Sequence, residues 1–69
     1  MSELIFEVTE ESDGGYCAEC LTENIFTQGN SWDELRANGK EAVGAFYFDG
    51  SAPHFARLRL VRDETIFLG

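Results

Sequence analysis

Residues Asp13–Val43 read DGGYCAECLTENIFTQGNSWDELRANGKEAV, and the order of their parts decides the fold. Asp13-Gly14-Gly15-Tyr16 is a tight turn, because adjacent glycines supply the positive φ that a short hairpin demands. An apolar run then ends in Thr27-Gln28-Gly29, where Gly29 lets the chain turn sharply out of a strand. Ser31 is a helix N-cap with Glu34 three residues on, the pattern of a capping box. The stretch therefore reads turn, strand, strand, turn, helix. That is part of an α+β domain.

Working outward, Leu4, Phe6 and Val8 alternate with Ile5, Glu7 and Thr9, the period-2 pattern of a half-buried strand. Tyr16 to Leu21 repeats that alternation, with Tyr16, Ala18 and Cys20 on one face. Thr22 to Asn24 is a polar connection, and Ile25 to Gln28 is a short third strand. From Ser31 the period becomes helical: Trp32, Leu35, Gly39, Ala42, Val43 and Phe46 define one apolar stripe. Gly39 on that stripe is expected to let the helix sit close on the sheet. The helix should fray near Asp49-Gly50, and Pro53 blocks any continuation. Phe48 falls nearly opposite the stripe, where it packs on the returning chain or faces a partner. Phe55 to Arg62 returns as a strand with Ala56, Leu58 and Leu60 inward. Thr65 to Leu68 is strand-prone and would be a short fifth strand.

The fold class is thus α+β: an antiparallel β-meander, one helix packed on the sheet and a returning strand, in the order βββαβ. The helix should bury Trp32, Leu35, Ala42 and Phe46 against Leu4, Phe6, Val8, Leu58 and Leu60. Residues 1–69 form one domain. A chain of 69 residues buries only about 60% of its unfolded surface, so assembly is the expected source of extra stability.

The net charge is −8, unevenly spread. Up to Leu35 there are nine acids and no Lys or Arg; beyond it, four acids face five bases. Such a front half opposes phosphate binding and suits a basic protein partner. Glu10, Glu11 and Asp13 at the hairpin, Glu23 in the next connection and Phe48 are the candidate partner-binding residues. Simple solubility is the plainer explanation of the charge. Met1 to Thr9 lacks a basic start and a long apolar stretch, so no signal peptide is expected and the cytoplasm is the expected compartment. Two cysteines there remain reduced.

Candidate chemistry is thin. Cys17 and Cys20 form a C-x-x-C pair, but residues three apart on a strand point to opposite faces and cannot share a metal. His54 is a lone loop histidine. Arg57 and Arg59 share the outer face of one strand, where Glu7 and Glu19 supply cross-strand partners. Gly14-Gly15 lies between strands, which a phosphate loop does not. No catalytic residue, metal ligand or cofactor site is expected.

The run Phe6 to Val43 resembles the N-terminal domain of the HicB family of antitoxins. The likeness is carried by Asp13-Gly14-Gly15-Tyr16, by Thr27-Gln28-Gly29, and by Glu34-Leu35-Arg36-Ala37-Asn38 followed by Glu41-Ala42-Val43. It covers rather more than half the chain. It implies a truncated ribonuclease-H-like sheet that is not a nuclease, and a partner that is a small basic RNA-cleaving HicA-type toxin. The family's proline-bearing link before the third strand is replaced here by Leu21-Thr22-Glu23-Asn24. Many members carry a DNA-binding domain that this stretch does not include, so direct nucleic-acid binding is not expected of it.

Three functions follow as expectations. The leading one is a non-catalytic antitoxin-like module that masks a HicA-type toxin. The alternative is a small self-assembling protein with no toxin partner. A hydrolase is the weakest: Glu7 and Glu41 could be recruited, but Phe55 to Arg62 offers no acid, and two-metal hydrolysis needs several converging carboxylates. A branched-chain 2-oxoacid dehydrogenase label, seen on small chains of this type, needs a thiamine-diphosphate site that 69 residues cannot supply.

Overall fold

A computed structural model describes residues 3–69. The elements are β1 (Glu3–Glu10), β2 (Tyr16–Cys20), β3 (Phe26–Gly29), α1 (Trp32–Phe46) and β4 (Phe55–Val61). They build one mixed sheet in the order β3-β2-β1-β4. The meander β1-β2-β3 is antiparallel throughout, and β4 returns beside β1 in parallel, Phe6 opposite Leu58. The fold is α+β, with α1 on one face of the sheet.

The hairpin forms for local reasons. Gly14 has φ +94, Gly14 N–H donates to Glu11 O at 3.0 Å, and Asp13 Oδ1 accepts from Gly15 N–H at 3.1 Å. Gly15 itself is not left-handed. It is needed for space, since a Cβ there would stand 3.2 Å from Gly29 O. Gly29 closes β3 with no positive φ. A Cβ on it would run into the backbone of Glu34 and Leu35. Its role is to let the first helical turn rest on the strand.

Ser31 caps α1 from an extended conformation, its Oγ accepting from Glu34 N–H at 3.1 Å. The return bond goes from Asn30 N–H to Glu34 Oε1 at 3.1 Å, one residue earlier than in the standard box. The helix ends at Phe46, before Asp49, with Gly50 at φ +82 in the turn that follows.

The core consists of Leu4, Phe6, Val8, Ala18, Cys20, Ile25 and Leu35, with Trp32, Ala42, Val43 and Leu58 partly buried around it. Two expected members are absent from it. Phe46 is 41% exposed and Leu60 44%. The reason is width: a helix about 10 Å across spans roughly two strands spaced about 4.8 Å apart. Starting directly from β3, α1 lies over β3 and β2 and leaves β4 uncovered. Thr65 to Leu68 forms no strand; residues 62–69 are extended past β4 and exposed. Among the described residues nothing pairs with them, so the alternation there has no ladder to complete.

Candidate partner-binding surface

Antiparallel pairing of β1 and β2 places Glu10, Glu11 and Asp13 at one end of the sheet, all exposed. The β3–α1 junction arrives at that same end. A polar cleft of about 410 Å³ opens between them, lined by Glu11, Asp13, Tyr16, Asn30, Glu34 and Asn38 among others. Glu34 therefore joins the hairpin acids. Its bond with Asn30 at the helix start aims it at this end. Tyr16, which lines this cleft, meets Trp32 edge to face at 5.4 Å between ring centroids.

Glu23 and Phe48 lie elsewhere. Glu23 sits in the β2–β3 turn, and β2's five residues at about 3.3 Å each put roughly 17 Å between that turn and the hairpin. Its neighbour is Tyr47, whose hydroxyl is pushed up by burial and by the Glu23 and Cys20 charges. Phe48 follows Tyr47 at this end and is 90% exposed. The five expected residues thus divide into two groups, three at the hairpin and two at the far end.

The cysteines behave as strand geometry requires. Cys20 is buried in the core, and Cys17 lies on the opposite face. Cys17 Sγ donates to Glu11 Oε1 at 2.9 Å, and that bond to a carboxylate raises its thiol above the ordinary range. Burial pushes the Cys20 thiol up, but N–H and hydroxyl donors of Thr22 and the Glu23 amide outweigh it, and the thiol lies below its ordinary range. Glu7 projects from the outer face of β1, while α1, which carries exposed Glu41, packs on the other face. The sheet stands between these two carboxylates. No group of three or more His, Cys, Asp or Glu among the described residues is placed to hold a metal ion.

On the outer face Arg57 Nε donates to Glu3 Oε1 at 3.1 Å, and Nη2 approaches Glu3 Oε2 at 3.4 Å. Glu19, Glu7 and Arg59 form a row in register across β2, β1 and β4. Arg59 offsets the two like charges, but among the described residues no carboxylate lies within salt-bridge distance of it. On the helix side, the uncovered strand forms one wall of a groove of about 700 Å³. Ala56 and Leu58 face Val43 across it, and Arg36, Lys40 and His54 stand at its rim.

A protein of Thermotoga maritima named a UPF0150 protein is 42% identical over 64 residues, covering 93% of this chain and 90% of that one. The chain belongs to the UPF0150 family. A second UPF0150 protein, from Archaeoglobus fulgidus, is 44% identical over 50 residues, or 72% of this chain and 74% of its own length. No family model matches the sequence, and no solved structure matches it. No helix among the described residues is long and apolar enough to cross a membrane. The UPF0150 name states no activity, so a functional reading rests on the surface itself.

Proposed function

We propose that this UPF0150 chain is a non-catalytic binding module of the antitoxin kind, acting in the cytoplasm to neutralise a small basic RNA-cleaving toxin of HicA type. One observation carries the reading: Glu11, Asp13 and Glu34 line one cleft at the hairpin end of the sheet, which no basic side chain lines, and exposed Glu10 stands at the same end. These four carboxylates, none in an ion pair among the described residues, attract and orient a cationic partner. The separation of Glu7 from Glu41 by the sheet favours a binding role over two-metal hydrolysis.

The test is to mix the purified chain with the product of a small basic neighbouring gene and to follow RNA cleavage. Stoichiometric loss of cleavage, with a dissociation constant below about 1 µM, is the expected result. A neighbouring basic nuclease that cleaves RNA equally well with the chain in excess would overturn it. A second reading, self-assembly without a toxin, is favoured by a different observation: the bare edge of β4 and the apolar segment that follows it.

A further inference from the structure

We propose that Phe55–Leu68 is one long edge strand that pairs antiparallel with the same segment of a second copy, about a two-fold axis at Val61. The proposal does not rest on the toxin reading. It begins from the two edges of the sheet. At the β3 edge, Asn38 Nδ2 on α1 donates to Gln28 O at 2.7 Å, so a helix side chain occupies that edge. Among the described residues the β4 edge has no such cover. Seven residues of β4, without proline, present an unpaired row of backbone groups, an arrangement that proteins otherwise blunt or pair.

The segment after β4 has the opposite problem. Ile66, Phe67 and Leu68 are 64%, 93% and 88% exposed, and residues 63–69 make no hydrogen bond or ion pair with the body among the described residues. The radius of gyration is 13.8 Å, against about 11 Å for a compact chain of this length, and the longest extent is 55 Å. The segment projects away from its own sheet. Three consecutive large apolar side chains in water are matched by a bare apolar edge on the same molecule.

Charge and side-chain chemistry choose the register. With the axis at Val61, Arg59 stands opposite the second copy's Asp63 on the outer face, and Phe55 opposite its Phe67. Arg57, already held by Glu3, meets Thr65 and needs no acid. On the helix side, Ile66 of the second copy falls beside Ala56. Glu64 falls beside Leu58, on the face whose groove is rimmed by Arg36, Lys40 and His54. An axis at Leu58 would set Arg57 against Arg59, and one at Arg62 would set the two Arg62 side chains together. Like charges directly opposite are unfavourable. The Val61 register joins the two sheets into one of eight strands, with both helices on the same face.

Light scattering on the full chain at micromolar concentration should report a dimer. Asp63→Arg should weaken it about tenfold, because two Arg–Asp pairs are replaced by repulsions. The double variant Arg59→Asp with Asp63→Arg should restore it. Neither position is buried, so circular dichroism should show both variants folded. In a Cys17→Ser background, Val61→Cys should form a disulfide between copies on mild oxidation, whereas Thr9→Cys, one strand inward, should not. A monomeric wild type, a double variant no tighter than Asp63→Arg alone, or a dimer that never links through residue 61 would each overturn the pairing.

Discussion

Gly29 lies directly beneath Leu35: a Cβ built on the glycine would stand 2.5 Å from the Leu35 amide nitrogen and 2.8 Å from its Cα. Leu35 is fully buried and is the helix's deepest anchor in the core. The strand and the helix therefore meet backbone to backbone, and no side chain can be inserted between them without moving one or the other.

Gly29→Ala should accordingly destabilise the fold by about 2–3 kcal/mol, the range for overpacking that backbone cannot relieve cheaply. Urea denaturation at fixed protein concentration measures it. An unchanged midpoint would mean that α1 can ride outward without loss.

The two helical glycines predict the reverse. A Cβ on Gly39 would come no nearer than 3.9 Å, to Thr27 Cγ2, and one on Gly44 would meet nothing within 4 Å. Close approach of helix and sheet therefore does not require glycine at position 39. Replacing either by alanine should stabilise the protein by about 0.5–1 kcal/mol through helix propensity and the unfolded-chain entropy. The pair should add, since the residues share no partner. A lower midpoint in either variant would show that the helix needs its flexibility.

Cys17 offers a chemical readout of the hairpin. Its thiol donates to Glu11, which holds the proton on and raises the thiol above its ordinary value. The sign of the linkage follows: the interaction contributes stability below the unfolded thiol pKa and loses it as pH rises through the higher folded value. Glu11→Gln removes the charge and should let the thiol ionise at lower pH. Alkylation of Cys17 near pH 8 should then quicken by about two- to fivefold. Cys20, buried beneath the helix, should remain slow in both proteins. Equal rates at Cys17 would show that Glu11 is not its hydrogen-bond partner in solution.

Much of the fold is legible in local chemistry. Leu4, Phe6 and Val8 announce β1 by alternation, Asp13 to Tyr16 announces the hairpin, and Ser31 with Glu34 announces the helix. Each of these depends on neighbours within a few residues. What was not legible depends on the breadth of one helix against four strands. Phe46 and Leu60 carry the right period for burial but lie where α1 does not reach. Ile66 to Leu68 carry strand chemistry with no neighbour in their own sheet. At the surface, Glu34 was hidden by its capping role, although cap and hairpin share one sheet end by the antiparallel order alone. Glu23 looked like a companion of the hairpin acids because sequence distance says nothing of the length of β2.

That division of the acids makes the toxin reading sharp enough to fail. Asp13 Oδ1 also holds the hairpin through Gly15 N–H, so the neutral replacement there must be Asn, which keeps an acceptor. The triple variant Glu10→Gln, Glu11→Gln, Asp13→Asn should slow association with a basic partner by about tenfold at low salt and flatten its salt dependence. Dissociation should change much less, since rim charges act chiefly on encounter. Glu23→Gln, at the far end of β2, should leave the association rate nearly unchanged. Stopped-flow measurements across a salt series separate these effects. If Glu23→Gln slows association as much as the triple variant does, the partner responds to net charge alone and the hairpin end is not its docking site. If neither variant changes the rate, the acidic front serves solubility and the neutralising contact lies elsewhere.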